Sequence, residues 1–176
     1  DNAAVAVAAL DFLDQFPVSD RAVRRGICRV KWPARFQVLG RGALTNLVRS
    51  STNIWVDGGH NAAAGEALAD AIRFNFGSSS VHVILGMLQT KSPAEFIGPL
   101  LPYIETVYPV GLDAEAGLTE PALAAQLKEV GAPVLRRGSI EAAIQQAGSD
   151  KVENIVVCGS LYLAGQVLSM NNEYIE

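Results

Sequence analysis

Ile54-Trp55-Val56-Asp57-Gly58-Gly59-His60-Asn61 reads as the end of a buried strand followed by a tight turn into a helix. The apolar run is short and rich in β-branched and aromatic residues, as a strand buried on both faces requires. The alanine-rich run from Ala62 to Phe76 then repeats Leu68, Ile72 and Phe76 at helical spacing, with Glu66, Asp70 and Arg73 free to face water. In an open parallel sheet, ligands bind outside the carboxyl ends of the strands, and a helix N-terminus there offers unpaired N–H groups to anions. The turn crowds an acid, two glycines, an imidazole and an amide into that place. Glycines admit a ligand close to the backbone, a carboxylate accepts from sugar hydroxyls or holds a metal, and an imidazole donates to phosphate or carboxylate oxygens. The same residues also serve an ordinary turn in which Asp57 or Asn61 caps the helix, and the local pattern alone leaves both readings open.

Outward from this turn, strand-like and helical runs alternate in the rhythm of parallel βαβ units. Strands are expected near Ile27 to Lys31, Phe36 to Leu39, Ile54 to Asp57, Val81 to Leu85, Thr106 to Val110, Val134 to Leu135 and Ile155 to Val157. Helices are expected over Asn2 to Asp14, Ala62 to Phe76, Pro93 to Leu101, Glu120 to Val130, Ile140 to Ala147 and Leu161 to Met170. The fold class that follows is α/β, an open and mostly parallel sheet with helices on both faces. Gly111 to Gly117 reads as a polar, glycine-bounded loop. The 176 residues, 49% hydrophobic and 18% charged, suit one ordinary domain with a sizeable core. Cys28 and Cys158 lie far apart without metal-ligand spacing, which points to reduced thiols and a cytoplasmic protein. The net charge of −4 gives no basic stripe for nucleic acid, although Arg21, Arg24, Arg25, Arg29 and Lys31 cluster locally and read as a solvated face. No run is long enough to span a bilayer, and no basic leader marks a signal peptide.

Four further segments bear on chemistry. Trp32-Pro33-Ala34-Arg35 precedes the second strand, Gly86-Met87-Leu88-Gln89-Thr90-Lys91 follows the run Val81 to Leu85, Cys158-Gly159-Ser160-Leu161-Tyr162-Leu163-Ala164-Gly165 follows the last strand, and Asn2-Ala3-Ala4-Val5-Ala6 opens the chain. Arg35 carries a planar, always-charged fork suited to phosphate, and is equally the type of residue found on a solvated surface beside a turn proline. His60 either meets phosphate or bonds a backbone carbonyl; His82 reads as structural. Ser160 lacks the surroundings of a hydrolase nucleophile and reads as a helix N-cap, with contact to substrate as the other use of its position. Thr90 and Lys91 can face the same crevice and are not counted among the candidates. There is no phosphate loop of the Gly-x-x-x-x-Gly-Lys-Ser/Thr type and no Gly-x-Gly-x-x-Gly.

In this order and at these separations, the segments resemble the C-terminal domain of folylpolyglutamate synthase, including the bifunctional dihydrofolate synthase form, within the Mur ligase superfamily. The resemblance covers essentially the whole chain. It implies a Rossmann-like domain of the Mur ligase C-terminal type, acting in the ATP-dependent joining of a dihydropteroate or reduced folate carboxylate to the amino group of L-glutamate through an acyl phosphate. It further implies that Asn2, Arg35 and Asp57 contact ATP and that His60 lies near the phosphates and the reaction centre; with Ser160, placed by its strand-end position, His60 is a substrate-binding candidate. Arg35 and His60 are then the catalytic candidates. Ala34 stands where glycine is frequent in the family, Gly59 where alanine is frequent, and Ala62 where proline often follows the asparagine.

The resemblance also implies a partner within the same polypeptide. The phosphate loop, the ligands for Mg2+ and most of the folate site are expected in a preceding ATPase domain. Residues 1–176 are accordingly read as a single C-terminal ligase domain excised from a longer chain, with residues 1–20 a candidate for the tail of the preceding domain. The expected assembly is a monomer, without nucleic-acid or membrane partners, and the fragment by itself is expected to be inactive. The competing readings are a Mur-type amino-acid ligase with a non-folate acceptor, and a non-catalytic nucleotide-binding domain on the same scaffold.

Overall fold

The computed structural model describes residues 2–13, 15–149 and 152–173, and the chain divides into two compact units, Asp1–Pro33 and Ala34–Glu176. The first unit holds helices α1 (Asn2–Leu10) and α2 (Asp20–Arg29). The expected strand at Ile27 to Lys31 is therefore the end of a helix and the residues after it. Ser19 caps α2 by accepting from the Ala22 N–H at 3.3 Å, Asp20 sits in the first turn, and Val23, Ile27 and Val30 recur at helical spacing. The alternation of apolar and basic residues over Ile27 to Lys31 imitates a strand only when those earlier signals are left out of the window.

The second unit is built on a five-stranded sheet in the order β1-β2-β5-β3-β4, with β1 (Gln37–Val38), β2 (Asn53–Val56), β3 (Val81–Leu85), β4 (Ile104–Pro109) and β5 (Asn154–Cys158). β1 runs antiparallel to β2, and the other pairings are parallel. The helices are α3 (Ala62–Phe76), α4 (Pro93–Ile97), α5 (Glu120–Glu129), α6 (Ile140–Ser149) and α7 (Leu161–Met170), and a 3-10 stretch, Gly98–Tyr103, continues α4. At Val134 the expected strand shrinks to an isolated parallel bridge with Val107.

Side-chain alternation along the strands divides the core between the two faces of the sheet. Ile54, Val56, Ile84, Ile155 and Val157 pack with α6 and α7 through Ile140, Ile144, Leu163 and Val167. Val83, Leu85, Val156 and Cys158 pack with α3, α4 and α5 through Leu68, Ile72, Phe96, Leu123 and Leu127. The central strands β3 and β5 are buried throughout, as the near-continuous apolar runs require. Gly65 lets α3 close on α4: a Cβ there would lie 2.3 Å from the Phe96 carbonyl oxygen. Among the described residues no helix is long and apolar enough to cross a membrane.

The start of α3 gives a stability test. Asn61 is the N-cap, with φ −137° and ψ 171°, and its Oδ1 accepts from the Ala64 N–H at 2.9 Å. Extended backbone before position 62 is what a proline there needs, and the N–H of a first helical residue has no intrahelical acceptor to lose. Ala62→Pro is expected to stabilise the protein by about 0.4–1 kcal/mol by restricting the unfolded chain. Urea unfolding would show a higher midpoint at unchanged slope; a lower midpoint contradicts this account of the turn.

Candidate functional site

The parallel order β2-β5-β3 sets side by side the turns that follow these strands, and the candidate residues gather there. The ladder ends where the Asp57 N–H donates to the Val157 carbonyl at 2.9 Å. The Asp57 carboxylate then holds two backbone donors: Oδ2 accepts from Phe36 N–H at 2.9 Å and Oδ1 from Gly59 N–H at 2.7 Å. Gly58 N–H adds a bond to the Ala34 carbonyl at 2.8 Å. Asp57 therefore does not cap α3, which Asn61 does; it ties the turn of residues 57–59 to the loop of residues 34–36.

That loop is backbone under strain, held from several sides. Ala34 and Phe36 both lie in the left-handed region, with φ 56° and 46°, at a cost of about 1–2 kcal/mol for each L-residue placed there. Ala34 N–H donates to Gln37 Oε1 at 3.0 Å, and the Phe36 ring stacks on Trp55 at 4.5 Å, with Phe76 closing the cluster at 5.2 Å from Trp55. Arg35 sits between the two strained residues, exposed, and makes no hydrogen bond or ion pair among the described residues. It lines a cleft of about 280 Å³ with Phe36, Asp57 and the α3 residues Ala64, Ala67, Leu68 and Ala71.

A smaller cleft, about 100 Å³, lies beside the same turn, lined by His60, Leu88, Lys91, Gly159, Ser160, Leu161 and Tyr162. His60 Nδ1 is 3.1 Å from the Gly58 carbonyl oxygen. A carbonyl only accepts, so Nδ1 carries the proton in that bond and Nε2 is the acceptor of the neutral ring. Ser160 is 2% exposed and caps α7, its Oγ accepting from Tyr162 N–H at 3.0 Å. Gly159 precedes it at φ 103°, and a Cβ there would lie 2.8 Å from the Gly86 carbonyl oxygen, so the position excludes a side chain on both counts.

The second unit thus brings Arg35 and Asp57 to one cleft and His60 and Ser160 to the other. Asn2 opens α1 in the first unit, and its side chain falls outside the described residues. Lys91, expected to be able to face the crevice but not counted among the candidates, lines the smaller cleft half-buried, its side chain without a partner among the described residues. Its position after the third strand, in the parallel rhythm, was the available signal. The loop read as merely polar braces this lysine's turn: Leu118 N–H donates to the Met87 carbonyl at 2.9 Å, Gln89 N–H to Ala116 at 2.8 Å, and Leu88 bridges Gly117. His82 is buried in β3 beside Tyr108, at 5.7 Å between rings.

Two chemical properties of the crevice follow. Asp57 lines a cleft with both oxygens engaged by N–H groups, and no group of three His, Cys, Asp or Glu side chains among the described residues can hold a metal ion. The donor set here does not fit a magnesium site. Cys158, at the end of β5, has its thiol pushed well up by burial and, secondarily, by the Asp57 carboxylate. A thiol held protonated and buried is a poor nucleophile. Iodoacetamide is therefore expected to alkylate exposed Cys28 in the native protein and Cys158 only after unfolding; prompt native modification of Cys158 would contradict the packing described.

Residues 41–170 match the family model described as "Dihydrofolate synthetase, C-terminal domain". The folylpolyglutamate synthase of Lacticaseibacillus casei is 28% identical over 158 residues, 87% of this chain and 33% of its own length. Escherichia coli FolC, solved in complex with DHPP and ADP, superposes with a TM-score of 0.78 at 26% identity, covering 97% of this chain and 38% of that one. A bifunctional folylpolyglutamate synthase/dihydrofolate synthase solved with Mn, AMPPNP and L-glutamate gives 0.74 at 28% identity, covering 96% and 38%. The chain spans less than half the length of each of these relatives. The family model takes in the turns after β2, β3 and β5 and begins after the loop of residues 34–36 that carries Arg35, and the chain belongs to the dihydrofolate synthetase C-terminal domain family.

Proposed function

We propose that this chain is the C-terminal domain of an ATP-dependent folate:L-glutamate ligase that works through an acyl phosphate, and that it supplies part of the ATP site and part of the glutamate site. The observation that carries the reading is the pair of clefts at one turn. One presents Arg35, without a side-chain partner among the described residues, beside Asp57; the other presents Lys91, likewise without one among the described residues, a histidine of fixed tautomer and the N-terminus of α7.

In the proposed reaction the acceptor carboxylate attacks the γ-phosphorus of ATP, giving the acyl phosphate and ADP. The amino group of glutamate then attacks the acyl carbon, and phosphate leaves. Arg35 places its fork against the phosphate oxygens whose charge rises in the first step. Asp57, with lone pairs remaining on both oxygens, accepts from the nucleotide's hydroxyl groups. In the smaller cleft Lys91 and the N–H groups at Ser160 hold a glutamate carboxylate, while His60 Nε2 takes a proton from the glutamate ammonium and so frees the amine that attacks. Magnesium, when bound, neutralises phosphate charge. Asn2 contacts ATP in the same reading, and the magnesium ligands, the phosphate loop and most of the folate site belong in this proposal to a preceding ATPase domain, whose closure on this one assembles the site. A monomeric, cytoplasmic enzyme is part of the same reading, in keeping with one exposed and one buried thiol.

The two-cleft assignment is tested by Lys91→Met in the intact protein. Loss of a charged hydrogen-bond partner is expected to raise KM for glutamate about 10- to 100-fold with KM for ATP unchanged. A rise in KM for ATP instead, or no change in either, overturns the assignment.

A further inference from the structure

Gly58 is a glycine for room and not for conformation. Its φ lies outside the left-handed region, so its backbone would accept a side chain, yet a Cβ there would lie 2.9 Å from Leu161 Cγ and closer still to Cδ2. The Leu161 side chain therefore rests directly on the Gly58 main chain. Leu161 is the first residue of α7, follows the Ser160 cap, and remains 49% exposed although large and apolar. It lines the smaller cleft. The glycine beneath it is buried and stands between Asp57, which lines the larger cleft, and His60, which lines the smaller one. Gly58 N–H reaches the Ala34 carbonyl, next to Arg35, at 2.8 Å, and its carbonyl meets His60 Nδ1 at 3.1 Å. Leu161 thus covers a residue whose main chain is bonded toward both clefts.

We propose that Leu161 is a specificity-determining residue that directs the acyl phosphate to the glutamate amine and away from water; the choice of reaction rests on the ligase reading above. In that reading the phosphate is held from the Arg35 side and the amine is freed on the His60 side, so the acyl carbon lies at the boundary that Leu161 covers. Two nucleophiles compete there. Attack by the amine forms the C–N bond, breaks the acyl C–O bond and releases phosphate. Attack by water forms a C–O bond, breaks the same acyl C–O bond and returns the carboxylate and phosphate, with one ATP consumed and no amide made. An ordered water needs two or more polar partners. Leucine offers none, and the Gly58 N–H and carbonyl beneath it are already bonded. Leu161→Ala deletes three carbon atoms beside His60 and Ser160, which can both hold a water, and so opens room for one, whose share of liquid volume is about 30 Å³.

The test follows phosphate release and amide formation together in the intact protein, with ATP, magnesium, L-glutamate and either dihydropteroate or tetrahydrofolate. Wild type is expected to release one phosphate per amide. Leu161→Ala is expected to release about three- to ten-fold more phosphate per amide, because exclusion of water is what suppresses such a side reaction. Leu161→Met, which keeps the apolar volume, is expected to stay near the wild-type ratio. Gly58→Ala pushes the leucine off the turn without removing it and is expected to raise the ratio as well. The ratio does not depend on how much of the protein is folded, so a merely structural role for Leu161 leaves it unchanged. In water enriched in oxygen-18, the excess turnover of Leu161→Ala is expected to label the recovered acceptor carboxylate. A ratio of one in Leu161→Ala overturns the proposal, as does excess phosphate with no label in the carboxylate. Absence of any amide from wild type refutes the ligase reading and the proposal with it, whereas amide from wild type with an unchanged ratio in Leu161→Ala refutes the proposal alone.

Discussion

Arg35→Ala in the intact protein is expected to lower kcat by about 10²- to 10³-fold, the effect of removing a charge-stabilising donor from a transition state, with little change in folding. The structural half of this expectation comes from what Arg35 does not touch. Its side chain is exposed and has no partner among the described residues, so truncation strands no buried group. The catalytic half comes from the loop. Holding Ala34 and Phe36 at positive φ, with the Phe36 N–H on Asp57 and its ring on Trp55, fixes the backbone from which Arg35 projects. Strain of this kind persists where the surroundings over-determine it, and here they aim a cation. Arg35→Lys restores the charge without the fork and is expected to recover only part of the rate. Single-turnover ADP formation isolates the phosphoryl step. An unaltered burst in Arg35→Ala, with a lowered thermal midpoint, would make the residue structural.

Asp57→Ala is expected to cost about 3–5 kcal/mol of stability, since each charged hydrogen bond it makes to the backbone contributes about 1.5–3 kcal/mol. Both carboxylate oxygens are committed, to Phe36 and Gly59 N–H groups at 2.9 and 2.7 Å. Removing them leaves two donors without acceptors and frees the strained loop, so activity falls through displacement of Arg35 as well as through any lost nucleotide contact. Asp57→Asn keeps one acceptor oxygen and turns an NH2 toward the other donor, and should recover less than half of the loss. Urea unfolding of the three proteins measures this. A change within about 0.5 kcal/mol for Asp57→Ala, typical of an innocuous surface substitution, would show that the turn is held by something else.

The strand–turn–helix at residues 54–76 was legible because strand burial, the Asn61 cap and helical spacing are all local signals, and the same holds for the cap at Ser160. Both central strands were recognisable as unbroken apolar runs. What the sequence left obscure depends on partners distant along the chain. The role of Asp57 was read as cap or ligand contact, whereas its bond to Phe36 spans 21 positions. Lys91 and the loop of residues 111–118 acquire meaning from pairing across the Gly86–Lys91 turn, which no short window contains. The error at Ile27 to Lys31 is of another kind: the short run looks strand-like by itself, whereas the cap and the helical stripe that contradict it begin earlier, at Ser19. Gathering Asp57, His60 and Ser160 at neighbouring strand ends followed from parallel topology; Arg35 joins them because β1 runs antiparallel to β2, and the division between two clefts was not legible.

Mass spectrometry of the products formed by the intact protein with ATP, magnesium and L-glutamate tests the central claim most directly, with dihydropteroate, tetrahydrofolate and a peptidoglycan precursor offered separately. The account predicts a pteroate or folate product heavier by one glutamyl residue, formed with stoichiometric ADP and phosphate. Amide formation on the peptidoglycan precursor alone, or nucleotide binding without any product from folded protein, would contradict it.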